Sequence, residues 1–265
     1  MLATKYPSLT EWLKVSANVK SYLNNDKGIV SSKQEEEGEG KIAEDVAEGY
    51  LLELAERCNL RCLQTLDLRI EGGYSNSIHV PNVLWRMQQL RHLYLPKRCS
   101  PKTKLKLGTL RSLQTLVNFN TKSCYIKDLI NMTNIRELEI RGPFNIEDFN
   151  TEELGKNPLI VQSKYLHSLS IINYEEGIDP RHLYHYLSSN LAYIKLRRCM
   201  LEEDPMPTLA KLPYLGMLEL HEEDFIGKEM FCCGQAFAKL ESLSLKELNF
   251  LEEWKVSEGA MPCLW

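Results

Sequence analysis

The chain has 265 residues, 43% apolar and 26% charged, and its 32 Lys and Arg against 36 Asp and Glu leave a net charge of −4. That balance argues against a strongly basic nucleic-acid binder and against an extreme acidic tail. No apolar run approaches the roughly 18 residues of a membrane span, and the mixed Lys, Glu and Trp of Met1 to Lys20 form no secretory h-region. The expected location is therefore cytoplasmic and reducing, and eight cysteines are too few for a disulfide scaffold at this length.

In chain order, Pro7-Ser8-Leu9-Thr10-Glu11 opens a first helix, with Ser8 as cap and Glu11 completing a capping box. Leu9, Trp12, Val19 and Leu23 share its apolar face. A second helix is expected over 41–58, where Ile42, Val46, Tyr50 and Leu54 recur at helical spacing. Between them, Asn24 to Gly40 carries Glu35-Glu36-Glu37-Gly38-Glu39 and reads as a solvated loop. Residues 1–58 hold 7 basic and 11 acidic residues, whereas 59–265 hold 25 of each, so a boundary is expected near Cys58.

From Leu63 onward one pattern returns: apolar-x-x-apolar-x-apolar. It starts at Leu63, Leu90, Leu113, Ile135, Leu166, Leu191, Leu215 and Leu240, at steps of 27, 23, 22, 31, 25, 24 and 25 residues. Leucine supplies 42 residues of the chain. A period of 20–29 residues is that of leucine-rich repeats. The alternation L-x-L makes a short strand with its leucines on one side. One strand cannot bury them alone, but stacked strands form a parallel sheet with a continuous leucine core. The expected fold is thus α/β, a leucine-rich-repeat solenoid of about eight repeats over 59–265. Parallel strands line its concave face, and helices or loops its convex face. Val83, Leu84, Met87 and Leu90 have helical spacing in one return segment, and Leu209, Leu212 and Leu215 come after Pro207 in another.

Residues alternating with the leucines point to the concave side. The candidate protein-binding face comprises Asp67, Arg69, His92, Tyr94, Phe119, Glu137, Glu139, Arg141, Tyr193, Lys195, Arg197, Met217, Glu219, His221 and Lys246. Aromatic and charged residues of both signs mix there, which suits protein recognition. It is not the basic stripe that phosphate contacts require. The pattern has faults. Asn118 stands where the third apolar residue belongs, so either Phe119 replaces it or the strand kinks. The long step after Ile135 holds an insertion around Gly142 to Pro158. Leu264, 24 residues after Leu240, would open a ninth repeat one residue before the end. With its core edge open there, marginal solubility is expected.

At these residues the chain resembles plant intracellular nucleotide-binding leucine-rich-repeat disease-resistance proteins of the coiled-coil type. Residues 2–23 resemble the stretch after the GLPL motif of the nucleotide-binding domain, and 28–58 the end of the winged-helix domain. Residues 59–265 resemble the repeats, with Leu251-Glu252-Glu253-Trp254 and Gly259-Ala260-Met261-Pro262 similar to later ones. The resemblance implies helical remnants over 1–27 and 28–58 and a truncated repeat domain over 59–265. The joins at Lys27-Gly28 and Cys58-Asn59 look like skipped family sequence. It implies defence through recognition of pathogen effectors or guarded host proteins, with the rest of a full-length receptor as a further partner. The sequence has no G-x-x-x-x-G-K-[ST], no GLPL and no Met-His-Asp motif. ATP or ADP would need that phosphate-loop domain, so no cofactor is expected.

Nor is catalysis expected. No C-x-x-C pair occurs; Cys58 and Cys62 lie four apart without a second pair, and Cys232-Cys233 reads as two reduced thiols in a loop. His182 and His185 read as a polar helix surface, and Glu222-Glu223 as a solvated edge. The partners expected are proteins, without nucleic acid and without a membrane span. The other readings open to this sequence are a fragment of a full ATP/ADP-switched receptor, a non-functional or decoy remnant, and a non-immune repeat adaptor.

Overall fold

Each repeat places its second apolar residue in one strand, five of the eight place their third there as well, and the strands stack side by side. The computed structural model describes residues 63–69, 80, 82–143, 163–173 and 187–265. The chain divides into two units, Met1–Cys58 and Asn59–Trp265, and every described residue belongs to the second. The two expected N-terminal helices, Cys58 and Cys62, most of the insertion after Gly142, and His182 and His185 lie outside the described residues.

The strands are β1 (Thr65–Asp67), β2 (His92–Tyr94), β3 (Thr115–Asn120), β4 (Glu137–Arg141), β5 (Ser168–Ile172), β6 (Tyr193–Arg197) and β7 (Met217–His221). Next come β8 (Glu229–Cys232), β9 (Ser242–Lys246) and β10 (Glu253–Val256). β1 to β7 and then β9 make one eight-stranded sheet, parallel throughout, while β8 and β10 pair in a second ladder. The register matches the repeat: Leu66, Leu93, Leu116, Leu138, Leu169, Ile194, Leu218 and Leu243 face one another in series. A parallel ladder needs a crossover between strands, and here it is tight. From Leu90 onward, the N–H of each first apolar residue closes a turn on the carbonyl three residues back, as at Leu90 on Met87 (3.0 Å), Leu191 on Ser188 (3.2 Å) and Leu240 on Phe237 (3.1 Å).

The return segments are less helical than their spacing suggests. Val83, Leu84, Met87 and Leu90 are all buried, but in a 3-10 turn over Leu84–Arg86 rather than an α-helix. A second 3-10 turn spans Ile126–Asn131. A four-residue helix, α1 (Met206–Leu209), starts one residue before Pro207. Cys232 is the last residue of β8 and buried, and Cys233 is exposed, so the expected loop begins only after Cys232.

At Asn118 both alternatives hold together. Asn118 takes a left-handed φ of 62°, which asparagine tolerates better than most residues, and the β3–β4 register shifts between Leu116 and Phe119. One extra residue is absorbed as a bulge, so Phe119 pairs with Ile140 and turns inward. Phe119 is completely buried. This corrects the concave-face expectation for Phe119, which is a core residue. Downstream, Gly142 holds φ 104°, and a Cβ there would sit 2.7 Å from Thr121 Oγ1, so the exit from β4 requires glycine.

Candidate functional site on the concave face

The in-register strands lay the outward side chains in columns, with neighbouring strands about 4.8 Å apart. One column runs Glu137, Ser168, Tyr193, Met217, Ser242, and the next runs Glu139, Ser170, Lys195, Glu219, Ser244. A third runs Arg141, Ile172, Arg197, His221, Lys246. Apart from Phe119, the sequence-derived residues fall into three groups.

At the β1 end, the Arg69 guanidinium grips Asp67 through Nε (3.0 Å to Oδ1) and Nη2 (2.6 Å to Oδ2), and lies 4.4 Å over the Tyr94 ring. Partial burial pushes the Asp67 carboxyl up, but the hydrogen bonds and charge of Arg69 outweigh it and hold it below its ordinary value. In the middle, His92 Nδ1 lies 3.1 Å from Thr115 Oγ1, which donates to Glu137 Oε2 at 3.4 Å. Arg141 Nε bonds Glu139 Oε1 at 2.7 Å and also donates to Asn118 Oδ1. The buried Asn118 amide donates in turn to the Leu95 carbonyl at 2.7 Å.

The third group spans β6, β7 and β9. Glu219 accepts from Tyr193 OH (3.0 Å) and Lys195 Nζ (2.7 Å), with His221 Nδ1 at 3.7 Å. Burial raises the Glu219 carboxyl, but the Lys195 and Tyr193 bonds and the nearby cations bring it below the usual value. Burial and Glu219 both push the Tyr193 phenol up. Burial pushes His221 down and the Glu219 charge partly reverses this, while Lys195, Lys246 and Arg197 lower it further. His221 Nε2 reaches Ser244 Oγ at 2.8 Å. Glu222, expected as a solvated edge, instead pairs with Arg197 and with Arg198 Nε (3.0 Å). Met217 stands exposed beside Tyr193.

Sequence reading missed Asn118, Glu222 and Arg198 as parts of this face. The first had a signal, since an asparagine in an apolar slot marks a left-handed bulge. It also missed Asp224, completely buried just beyond β7, whose Oδ1 accepts the Cys199 N–H at 3.2 Å while Oδ2 has no partner. Burial raises that carboxyl to about 7, against the opposing bonds from Cys199. Burial likewise pushes up the thiols of Cys124 and Cys199, the reverse of what a reactive thiol needs. Of the concave acids, Asp67, Glu139 and Glu219 sit in ion pairs, while Glu137 accepts from Thr115. Among the described residues no group of three His, Cys, Asp or Glu is placed to hold a metal ion. Among them too, no helix is long and apolar enough to cross a membrane.

No model of a protein family matches the chain. Curated relatives do. "Probable disease resistance protein RF9" of Arabidopsis thaliana is 39% identical over 230 residues, covering 78% of this chain and 21% of the relative. "Disease resistance RPP8-like protein 3" of the same plant is 37% identical over 230 residues, covering 78% and 25%. "Disease resistance protein RPP8" is 34% identical over 232 residues, also covering 78% and 25%. The chain therefore spans between about a fifth and a quarter of the length of these relatives. Among solved structures, the leucine-rich repeat domain of the type III effector XopL aligns at a TM-score of 0.36 and 16% identity, covering 94% of this chain and 75% of that one. The solenoid assignment rests on the strand register described above, not on that likeness.

Proposed function

Because the chain is a leucine-rich-repeat relative of plant disease-resistance proteins, we propose that it recognises proteins through the concave sheet and contributes to defence. One observation carries this reading: successive strands present Tyr, Arg, Lys, Glu and Met side chains in fixed columns over a rigid leucine core. Such a surface offers a few aromatic and arginine anchors among pre-paired charges. By relation to the resistance proteins, the target is a pathogen effector or a guarded host protein, met in the cytoplasm. The rest of a full-length receptor is a second partner. No catalytic step and no nucleotide enter this proposal, since no residue matches a phosphate loop.

Co-immunoprecipitation from plant cells tests it, with the chain compared against the triple variant Tyr193→Ala, Lys195→Ala, Arg197→Ala. Loss of a defined partner in the triple variant, with retention in Lys211→Ala on the return side, is the expected result. A partner held equally by both variants would place recognition elsewhere and overturn it. An antibody to the Glu35–Gly40 tract separates two forms of the proposal: a native product near 30.6 kDa acts as this chain, while a much larger one acts as part of a nucleotide-switched receptor.

A further inference from the structure

Charge is divided along the solenoid in a way that the concave face does not use. Residues 82–143 carry 12 Lys or Arg against 3 Asp or Glu, whereas 187–265 carry 8 against 13. In the first of these stretches, much of the charge lies on the return segments, away from the sheet. There, Trp85, Arg86, Lys106, Thr109, Tyr125 and Lys127 form one strip. Thr109 Oγ1 donates to the Trp85 carbonyl at 2.7 Å. Lys106, Thr109, Tyr125 and Lys127 line one shallow groove of about 430 Å³. Asp128, also in the groove, is drawn inward, with Oδ2 accepting the Leu107 N–H at 2.6 Å. Trp85 and Tyr125 are exposed to 40% and 37%.

We propose that this strip docks on an anionic phospholipid surface. Three features select that partner. Exposed Trp and Tyr beside basic residues match the chemistry of the bilayer interface, where amphipathic rings sit at headgroup level. A protein partner would favour arginine anchors, yet both basic residues that line the groove, Lys106 and Lys127, are lysine, the residue depleted in protein interfaces. Single-stranded nucleic acid would stack on open ring faces. Here Arg86 lies 5.2 Å over Trp85, and Lys127 lies 5.8 Å over Tyr125, so each ring already carries its own cation. The acidic repeats at the other end would be repelled by the same lipids, which orients the solenoid on the surface. The proposal stands independently of protein recognition by the concave face.

The test is co-sedimentation of the full chain with phosphatidylcholine vesicles, with and without phosphatidylserine. Binding is expected only with phosphatidylserine, and release at about 0.5 M salt, where screening shortens to a few ångströms. Lys106→Gln and Lys127→Gln should each weaken binding about fivefold, and Trp85→Ala should weaken it further. Lys239→Gln is the matched control, because Lys239 also lies over an exposed ring (4.6 Å from Tyr214) but in the acidic half; it should bind as the parent does. Equal binding to both vesicle types, no binding to either, or unchanged binding by the two lysine variants would each overturn the proposal. So would a stronger affinity for RNA than for the vesicles that falls with the same lysine changes.

Discussion

β7 and β9 carry the same three leucines of the motif, in LGMLEL and LESLSL, and pair in register in the parallel sheet. Their burial differs. Leu218 and Leu220 of β7 are 1% and 0% exposed, whereas Leu243 and Leu245 of β9 are only partly buried, and every residue of β10 is exposed. The motif makes a strand, but a neighbour on each side makes a core. In a repeat protein stability is a sum over such neighbour contacts, so the same leucines are worth less where only one neighbour is present.

Four experiments press on this contrast. Phe119→Ala should cost about 3–5 kcal/mol, read as a lower urea midpoint at constant slope, because the ring fills the space between two flanked strands. A cost near zero would return Phe119 to the surface. Asp224, in the flanked region, should make stability depend on pH. Its folded value of about 7 lies above the ordinary 3.8, so the folded state holds the proton more tightly. Stability is therefore full below about pH 4 for this group and falls as pH rises towards 7, by about 4 kcal/mol at most. Asp224→Asn should flatten that slope; an unchanged profile would show that another group carries it.

Leu218→Ala against Leu243→Ala measures the contrast itself. The first should cost about 2–5 kcal/mol and the second about half as much or less; equal costs would break the comparison. Smallest is the Lys195–Glu219 pair, 27% and 24% exposed, which should contribute about 1 kcal/mol in a double-mutant cycle and less in high salt.

The solenoid was legible because its signal is local. Eight returns of the apolar pattern name the strands of the main sheet and their order without any knowledge of the neighbours, while β8 and β10 carry no such signal. The departures are not local. The Phe119 assignment failed because the parity of a strand flips at a bulge, and the bulge is announced only by Asn118. The spacing of Val83, Leu84 and Met87 marks burial correctly, but it cannot tell a 3-10 turn from an α-helix over so few residues. Glu222 looked solvated because nothing nearby in sequence shows that Arg197 lies one repeat away. Asp224 went unnoticed because its burial is decided by Cys199 in the preceding repeat.

The ladder in which each strand bonds only its two neighbours also governs how such a chain can change in length. Gain or loss of a whole repeat leaves every remaining leucine on its own side of the sheet. Gain or loss of a single residue within a strand reverses the facing of the residues beyond it and turns leucines out to water. Asn118 marks the one described strand where a single extra residue has been taken up, by an asparagine that can bend left and bind two repeats at once. Lineages of this chain are therefore expected to differ by whole repeats and by substitutions in the concave columns, and rarely by single insertions inside a strand.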